Sequence, residues 1–293
     1  MRRFLIAGFI IVLLLVTLIV GISVGFMVSG DGFGVGGERV AVLRIEDIIL
    51  DSQIYIESIS SIKKDKSIKA VVLRIDSPGG AVGPSQEIYS EVKLLREKLP
   101  VVASIGTVGA SGGYYIACAA EKIVANPGAI TGSIGVIAQF VNYEQLLSWA
   151  KLNVEVIKSG EFKDVGSPLR QMTESERKYF QELIDNVHSQ FKLAVSEGRG
   201  IGSKQMDQIA DGRIFTGEQA KNLKLVDELG SVSDAIRLAG TMSGIGKEPE
   251  VVYYPKSKSR FLDLLLSGAK THALSGFPVK ERFGLFYLVD IIR

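Results

Sequence analysis

Val72-Leu73-Arg74-Ile75-Asp76-Ser77-Pro78-Gly79-Gly80 sets an apolar run directly against a glycine-rich turn. Val42-Leu43-Arg44-Ile45-Glu46 nearly duplicates its first half. Short continuous apolar runs suit parallel strands covered on both faces, and parallel strands need crossover connections, usually helical. Further strands are expected at Val101 to Ile105, Ile123 to Ala125 and Val154 to Lys158, with Val251 to Tyr254 as a last one. Glu87 to Lys98 and Tyr143 to Leu152 read as two of the intervening helices. The expected fold class is α/β.

That architecture has a geometric consequence. In a parallel sheet the loops at the carboxyl ends of the strands gather on one edge, where ligands bind. Four polar or glycine-rich segments come after expected strands: Asp76 to Gly80, Gly106 to Gly113, Asn126 to Gly135 and Ser159 to Asp164. The second contains Gly109-Ala110-Ser111-Gly112-Gly113-Tyr114-Tyr115, which places Ser111 at the start of a helix expected to continue to Glu121. Unpaired N–H groups there favour the oxyanion formed when a hydroxyl attacks a carbonyl. Taken alone, the motif reads equally as a serine N-cap in a glycine-rich turn.

A serine hydroxyl is a weak nucleophile without an adjacent base. The chain has only two histidines; His188 falls on a long helix and His272 in the C-terminal tail. Lysine is a recognised substitute. Lys122 lies eleven residues from Ser111, about 16 Å along a helix, and Lys151 falls on a helix surface. Lys163, directly after the strand expected at Val154 to Lys158, is the remaining candidate base. A free lysine titrates near about 10.4, so the role requires a site that lowers this by several units. The second oxyanion donor beside Gly112 is assigned to Gly80, with Gly79 as second choice, since the glycine turn allows close backbone approach. Ser133, in Thr131-Gly132-Ser133-Ile134-Gly135, offers a hydroxyl to orient the lysine amine.

Elsewhere the pattern is structural. Thr173 and Glu176 form a capping box opening a helix with apolar residues from Phe180 to Ala194 and an end near Gly198 to Gly200. Thr216 caps another helix, and a further one begins near Ser233. Cys118, the single cysteine, excludes an intrachain disulfide and any all-cysteine metal site, and its apolar neighbours mark it as a core thiol. A net charge of +2 gives no electrostatic argument for nucleic acid. No cofactor and no metal is called for.

Phe4 to Met27 carries no charge and meets the length of about 20 apolar residues needed to span a bilayer. Arg2 and Arg3 precede it, which places the N-terminus in the cytoplasm by the positive-inside rule. The run exceeds a signal-peptide core and lacks a clear cleavage site, so an uncleaved anchor is expected. The resulting division is a cytoplasmic start at 1–3, a transmembrane anchor at 4–27, a flexible tether at 28–38, a catalytic domain at 39–245 and an extension of unassigned role at 246–293. The apolar stretch Phe261 to Leu266 is far too short to span.

In that order, DSPGG at Asp76 to Gly80, GASGGYYIA at Gly109 to Ala117, TGSIG at Thr131 to Gly135 and SGEFKD at Ser159 to Asp164 resemble the signal peptide peptidase A family. These are membrane-anchored serine proteases of the Clp protease/crotonase fold, built of repeated β-β-α units. The resemblance runs from about Arg39 to Gly240 and covers a single repeat. It implies Ser111 as nucleophile, Lys163 as general base, Gly80 and Gly112 as oxyanion hole and Ser133 as the lysine's hydrogen-bond partner. It further implies a ring or dome-shaped homo-oligomer, its catalytic domain outside the cytoplasm, that degrades signal peptides left in the membrane after cleavage. Nodulation-efficiency-type membrane proteases, which also pair serine with lysine, are the close alternative. Crotonase-type acyl-CoA enzymes and a non-catalytic membrane scaffold fit less well, because neither calls for Ser111 and Lys163 together.

Overall fold

A computed structural model describes residues 2–28, 37–255 and 286–288. The expected tether falls almost wholly outside these residues, as do Phe261 to Leu266 and His272. Two compact units result, residues 1–37 and 38–293. The first contains the helix α1 (Arg2–Val28), whose described side chains, at residues 6 and 8–22, are all exposed. Among the described residues no helix is long and apolar enough to cross a membrane.

The second unit begins with β1 (Arg39–Glu46), α2 (Gln53–Lys64), β2 (Ile68–Ser77), β3 (Gly79–Ala81) and α3 (Val82–Arg96). It continues through β4 (Val101–Ala110), α4 (Gly112–Ala117), β5 (Lys122–Ala125), β6 (Ile130–Gly132), α5 (Glu144–Trp149) and a 3-10 turn at Glu161–Asp164. After these come α6 (Glu174–Arg199), α7 (Ser203–Ile209), β7 (Ile214–Thr216), α8 (Gly217–Asn222), β8 (Glu228–Leu229), α9 (Val232–Met242), β9 (Glu250–Tyr254) and β10 (Phe286–Leu288). The main sheet runs β7-β6-β4-β2-β1-β9, with β5 pairing β4 and β8. All its pairings are parallel except β6 with β7. The two near-duplicate strands lie side by side, with Leu43 opposite Leu73 and Arg44 opposite Arg74.

Alternation along these strands sends side chains to opposite faces, and both faces are covered. Leu43, Ile45, Leu73, Ile75, Ala103 and Ile105 pack in the larger core, with residues of α2, α3, α4 and α6. Val40, Val42, Val72, Val102 and Val124 pack on the other face with Ala235 and Ala239 of α9. The continuous apolar runs therefore have the cause inferred for them. Cys118 is buried in the larger core, and burial pushes its thiol up to about 12, so it is a packing group and no nucleophile.

The capping boxes at Thr173–Glu176 and Thr216–Gln219 are both formed, and α6 ends at Gly200 in the left-handed conformation. Three expectations need correction. The helix after Ser111 stops at Ala117, the expected helix from Tyr143 to Leu152 is only the six residues of α5, and Val154 to Lys158 is not a strand. That last run lies exposed, with Ile157 94% accessible, because its apolar residues meet no pairing partner among the described residues.

Candidate active site

The carboxyl ends of β2, β4 and β6 meet at one place. Up to Ile75 and Ile105 the β2 and β4 residues advance together; thereafter Ser77 faces Gly109, so β4 takes extra residues across Gly106 to Val108. The Asp76 carboxylate accepts the Val108 N–H at 3.1 Å and holds this bulge. Such bulges bend a strand and re-aim the residues beyond it, here Ser111 at the end of β4.

Ser111 adopts φ 52° and ψ −119°, a conformation unusual for a residue with a side chain. Backbone strain of this kind costs about 1–3 kcal/mol and persists where the surroundings enforce it. Here the Ser111 N–H donates to the Gly132 carbonyl at 2.8 Å, and the Ser111 carbonyl accepts the Tyr115 N–H at 2.8 Å. The helix it opens is anchored from below. Tyr114 donates to the Leu225 carbonyl at 2.7 Å, and the Tyr115 ring packs between Tyr89 and Phe191 at centroid distances of 4.8 and 5.0 Å. The two tyrosines of the motif are thus structural supports. The Ser111 side chain is buried, and its Oγ makes no hydrogen bond among the described residues. An unpaired buried hydroxyl costs about 1–3 kcal/mol, so the fold holds this group at the expense of stability.

Gly132 pairs with Ala110, so the next residue, Ser133, stands beside Ser111 in register. Ser133 is buried and also left-handed, at φ 50°, with its N–H donating to the Arg213 carbonyl at 2.9 Å. On the other flank, the Ser77 hydroxyl donates to the Asp47 carbonyl at 2.6 Å and accepts the Gly79 N–H at 3.1 Å, fixing the Pro-Gly-Gly turn. Ile49 pairs with β3 by donating to the Gly79 carbonyl at 2.9 Å and accepting the Ala81 N–H at 2.7 Å. Strand alternation then turns the Gly80 N–H to the opposite side. A Cβ on Gly80 would lie 2.0 Å from the Ile49 carbonyl oxygen, so only glycine fits. Gly112, in the first turn of α4, has an N–H without an intrahelical partner. Helix α4 packs against β3 and, through Gly113, closely against Ser77.

Ser111, Gly112, Gly80 and Ser133 are therefore brought together by three adjacent strand ends. Lys163 is not joined to them. It sits exposed in the 3-10 turn Glu161–Asp164, and no hydrogen bond or ion pair links it to Ser111. Its expected place rested on the strand at Val154 to Lys158, which does not form. The turn packs instead on the start of α6: Phe162 meets Tyr179 at 5.2 Å, and Glu161 accepts from the Ser175 hydroxyl at 3.3 Å. His188 lies on α6 with no hydrogen bond to Ser111, and its Nε2 is buried without a partner among the described residues.

Two features had no signal in the sequence. Arg170 bridges Asp164 and the buried Glu176, and an isolated arginine in a loop shows no periodicity that would mark it. The three-residue strand β10 pairs antiparallel with β3, setting Tyr287 against Gly80. A strand that short carries no pattern of its own.

A serine held in a strained turn between two donor loops is the arrangement of an acyl-transfer site, and likeness to known proteins decides which kind. The peptidase family S49 model matches residues 93–245, and the Clp protease model matches residues 43–130. A putative protease of Methanocaldococcus jannaschii is 34% identical over 280 residues, covering 89% of each chain. The chain belongs to peptidase family S49. This S49 chain is accordingly a serine protease, and its mixed α/β sheet agrees with the Clp protease match. It is also 48% identical to a putative protease of Synechocystis over 62% of this chain and 66% of that one. A putative signal peptide peptidase of Enterococcus faecium is 33% identical over 69% of this chain and 63% of its own length.

Proposed function

We propose that this S49 protease cleaves apolar peptides with Ser111 as nucleophile and Lys163 as general base. The observation that carries the reading is Ser111 itself: strained, buried, its Oγ without a hydrogen bond among the described residues, and flanked by Ser133 and the Gly80 turn. Nζ of Lys163 takes the Oγ proton as Oγ attacks the scissile carbonyl. The N–H groups of Gly80 and Gly112 receive the oxyanion. Its collapse expels the amine, which takes the proton from the lysine, and leaves an acyl-serine. Water, deprotonated by the same lysine, then attacks the acyl carbonyl, and the lysine returns that proton to Ser111 Oγ as the acyl–oxygen bond breaks and the acid leaves. Ser133 holds the amine between these steps.

The antiparallel pairing of β10 with β3 supports the mode of substrate binding. That edge accepts an extended segment, Phe286–Leu288, across Gly80. An extended peptide would take the place of Phe286–Leu288 along that edge, with main-chain hydrogen bonds supplying affinity.

Lys163 is exposed in the protomer, as are Trp149 at 83% and Ile157 at 94% of their surfaces. Large apolar side chains clustered on one segment mark interaction surfaces. We propose that a homo-oligomer, ring or dome-shaped, covers this segment and delivers Lys163 to the Ser111 of a neighbouring copy. Desolvation there would lower the lysine's affinity for its proton. The whole of α1, apolar from Phe4 to Met27, is proposed as a single-pass anchor with the protease domain outside the cytoplasm and remnant signal peptides as substrates. The uncharged run and Arg2 and Arg3 before it support this orientation.

Treatment with a serine-directed acylating inhibitor and subsequent peptide mapping should find the acyl group on Ser111. Modification elsewhere with Ser111 untouched would overturn the assignment. Peptides with small or apolar residues before the cut should be cleaved about tenfold or more faster than charged ones, given the few kcal/mol that apolar burial supplies. Equal rates would remove the case for an apolar substrate class.

A further inference from the structure

A lysine that must give up its proton at neutral pH should not stand beside a free carboxylate. An opposite charge within about 4–6 Å stabilises the ammonium and raises its pKa by one to three units. Yet Lys163 sits in a turn bounded by Glu161 and Asp164. The structure neutralises Asp164 with two cations and gives the Glu161 carboxylate a hydroxyl donor. Asp164 accepts from Lys158 Nζ at 2.6 Å and from Arg170 Nε at 3.0 Å, with a second Arg170 nitrogen 3.0 Å away. Glu161 accepts from the Ser175 hydroxyl through its carboxylate and from Lys158 Nζ, at 2.8 Å, through its carbonyl.

Arg170 then continues inward. Its two terminal nitrogens reach the Glu176 carboxylate at 2.8 and 2.5 Å. Glu176 is buried and closes the capping box of α6 by accepting the Thr173 N–H at 2.9 Å. The Lys163 turn is thereby tied to the first turn of the longest helix in the protease domain. Besides Glu176, the start of α6 contributes Glu174, Arg177 and Lys178, of which Glu174 and Arg177 pair with each other at 4.0 Å. The arginine holds the Glu176 carboxyl down at about 2 and keeps Asp164 well below the usual carboxylate range, with Lys158 assisting there. The side chain of Lys163 makes no hydrogen bond or ion pair among the described residues. Every carboxylate of its own turn has a partner, and the lysine amine is left for another use.

We infer that Arg170 is a positioning residue for the base: it cancels the charge of Asp164 beside Lys163 and pins the turn that carries the amine to α6. The inference rests on the reading of Lys163 as base. Loss of Arg170 leaves Asp164 to Lys158 alone, so less of the carboxylate charge beside Lys163 is offset and the amine keeps its proton to higher pH.

The test is the pH profile of kcat/KM for peptide hydrolysis by the full-length protein. Arg170→Gln should move the acid limb up by about one pH unit, making the enzyme about tenfold slower at neutral pH while the alkaline plateau is kept. Adding Asp164→Asn to that variant should return the limb to its wild-type position, which a structural defect would not do. Arg170→Lys, which keeps a cation beside Asp164, should shift it less than Arg170→Gln. An unmoved limb in folded Arg170→Gln, or a loss at all pH values that Asp164→Asn does not repair, overturns the inference and leaves the Ser-Lys reading intact. If Arg170→Gln does not fold, Asp164→Asn alone decides: its limb should lie at or below the wild-type position, and a rise overturns the inference. Retained activity in Lys163→Ala overturns the base assignment itself.

Discussion

Ser111→Ala and Lys163→Ala are each expected to lower kcat for peptide hydrolysis by at least about a thousandfold, because groups acting as one unit fail together when either is removed. Neither change should unfold the domain. Ser111 Oγ makes no hydrogen bond among the described residues, and a smaller side chain at that position removes an unpaired buried hydroxyl. Thermal unfolding should therefore be unchanged or slightly raised in Ser111→Ala. The pair also reports how the site is assembled. If Lys163 of one copy serves Ser111 of the next, mixing the two inactive proteins under conditions that exchange subunits should restore part of the activity: one mutant supplies the serine and the other the lysine. Full activity in either folded single variant would remove the dyad. Absence of recovery in demonstrably mixed oligomers would remove the shared site and leave a lysine that reaches Ser111 within its own chain.

Gly80→Ala should have the second-largest effect. The added Cβ meets the Ile49 carbonyl oxygen at 2.0 Å, a backbone atom that no rotamer change can move aside. Either β3 shifts away from Ile49 or the turn opens, and both displace the Gly80 N–H from the place where the oxyanion forms. Loss of one such donor lowers kcat by about a hundredfold to a thousandfold. Overpacking at this site should also cost about 1–3 kcal/mol of stability, visible as a lowered melting temperature. Gly83→Ala is the control. It lies three residues on, in α3, with nothing within 4 Å of the added carbon, and should change neither property. Wild-type kcat in Gly80→Ala would show that this amide takes no part in the reaction.

Much of this site was legible in the sequence, for a reason that concerns the strands. Val42 to Glu46 and Val72 to Asp76 are apolar on both faces, and only a sheet covered on both sides accommodates that. Once the strands are parallel, the turns after them converge, so Ser111, Gly80 and Ser133 meet for the same reason that the sheet forms. The helix caps at Thr173 and Thr216 were legible because capping is local, decided by side chains three residues apart.

Lys163 shows where that logic stops. Val154 to Lys158 has the composition of a buried strand, but composition records only that a segment prefers burial, and this one finds no pairing partner among the described residues. Arg170 shows the complementary limit. Its role depends on a carboxylate six residues before it and another six residues after it, brought together by a loop with no repeating pattern. The pairing of Tyr287 with Gly80 is likewise a meeting of two short segments far apart in the chain.

By itself the sequence determined the α/β sheet, the glycine-rich turn that holds Ser111 and the family, because periodicity, capping and glycine turns act over a few residues. Only the tertiary structure decided the strained backbone of Ser111, the outward face of Gly80 and the separation of Lys163 from its expected strand end. Those depend on which groups remain unpaired after distant segments have packed, a quantity that no local pattern contains.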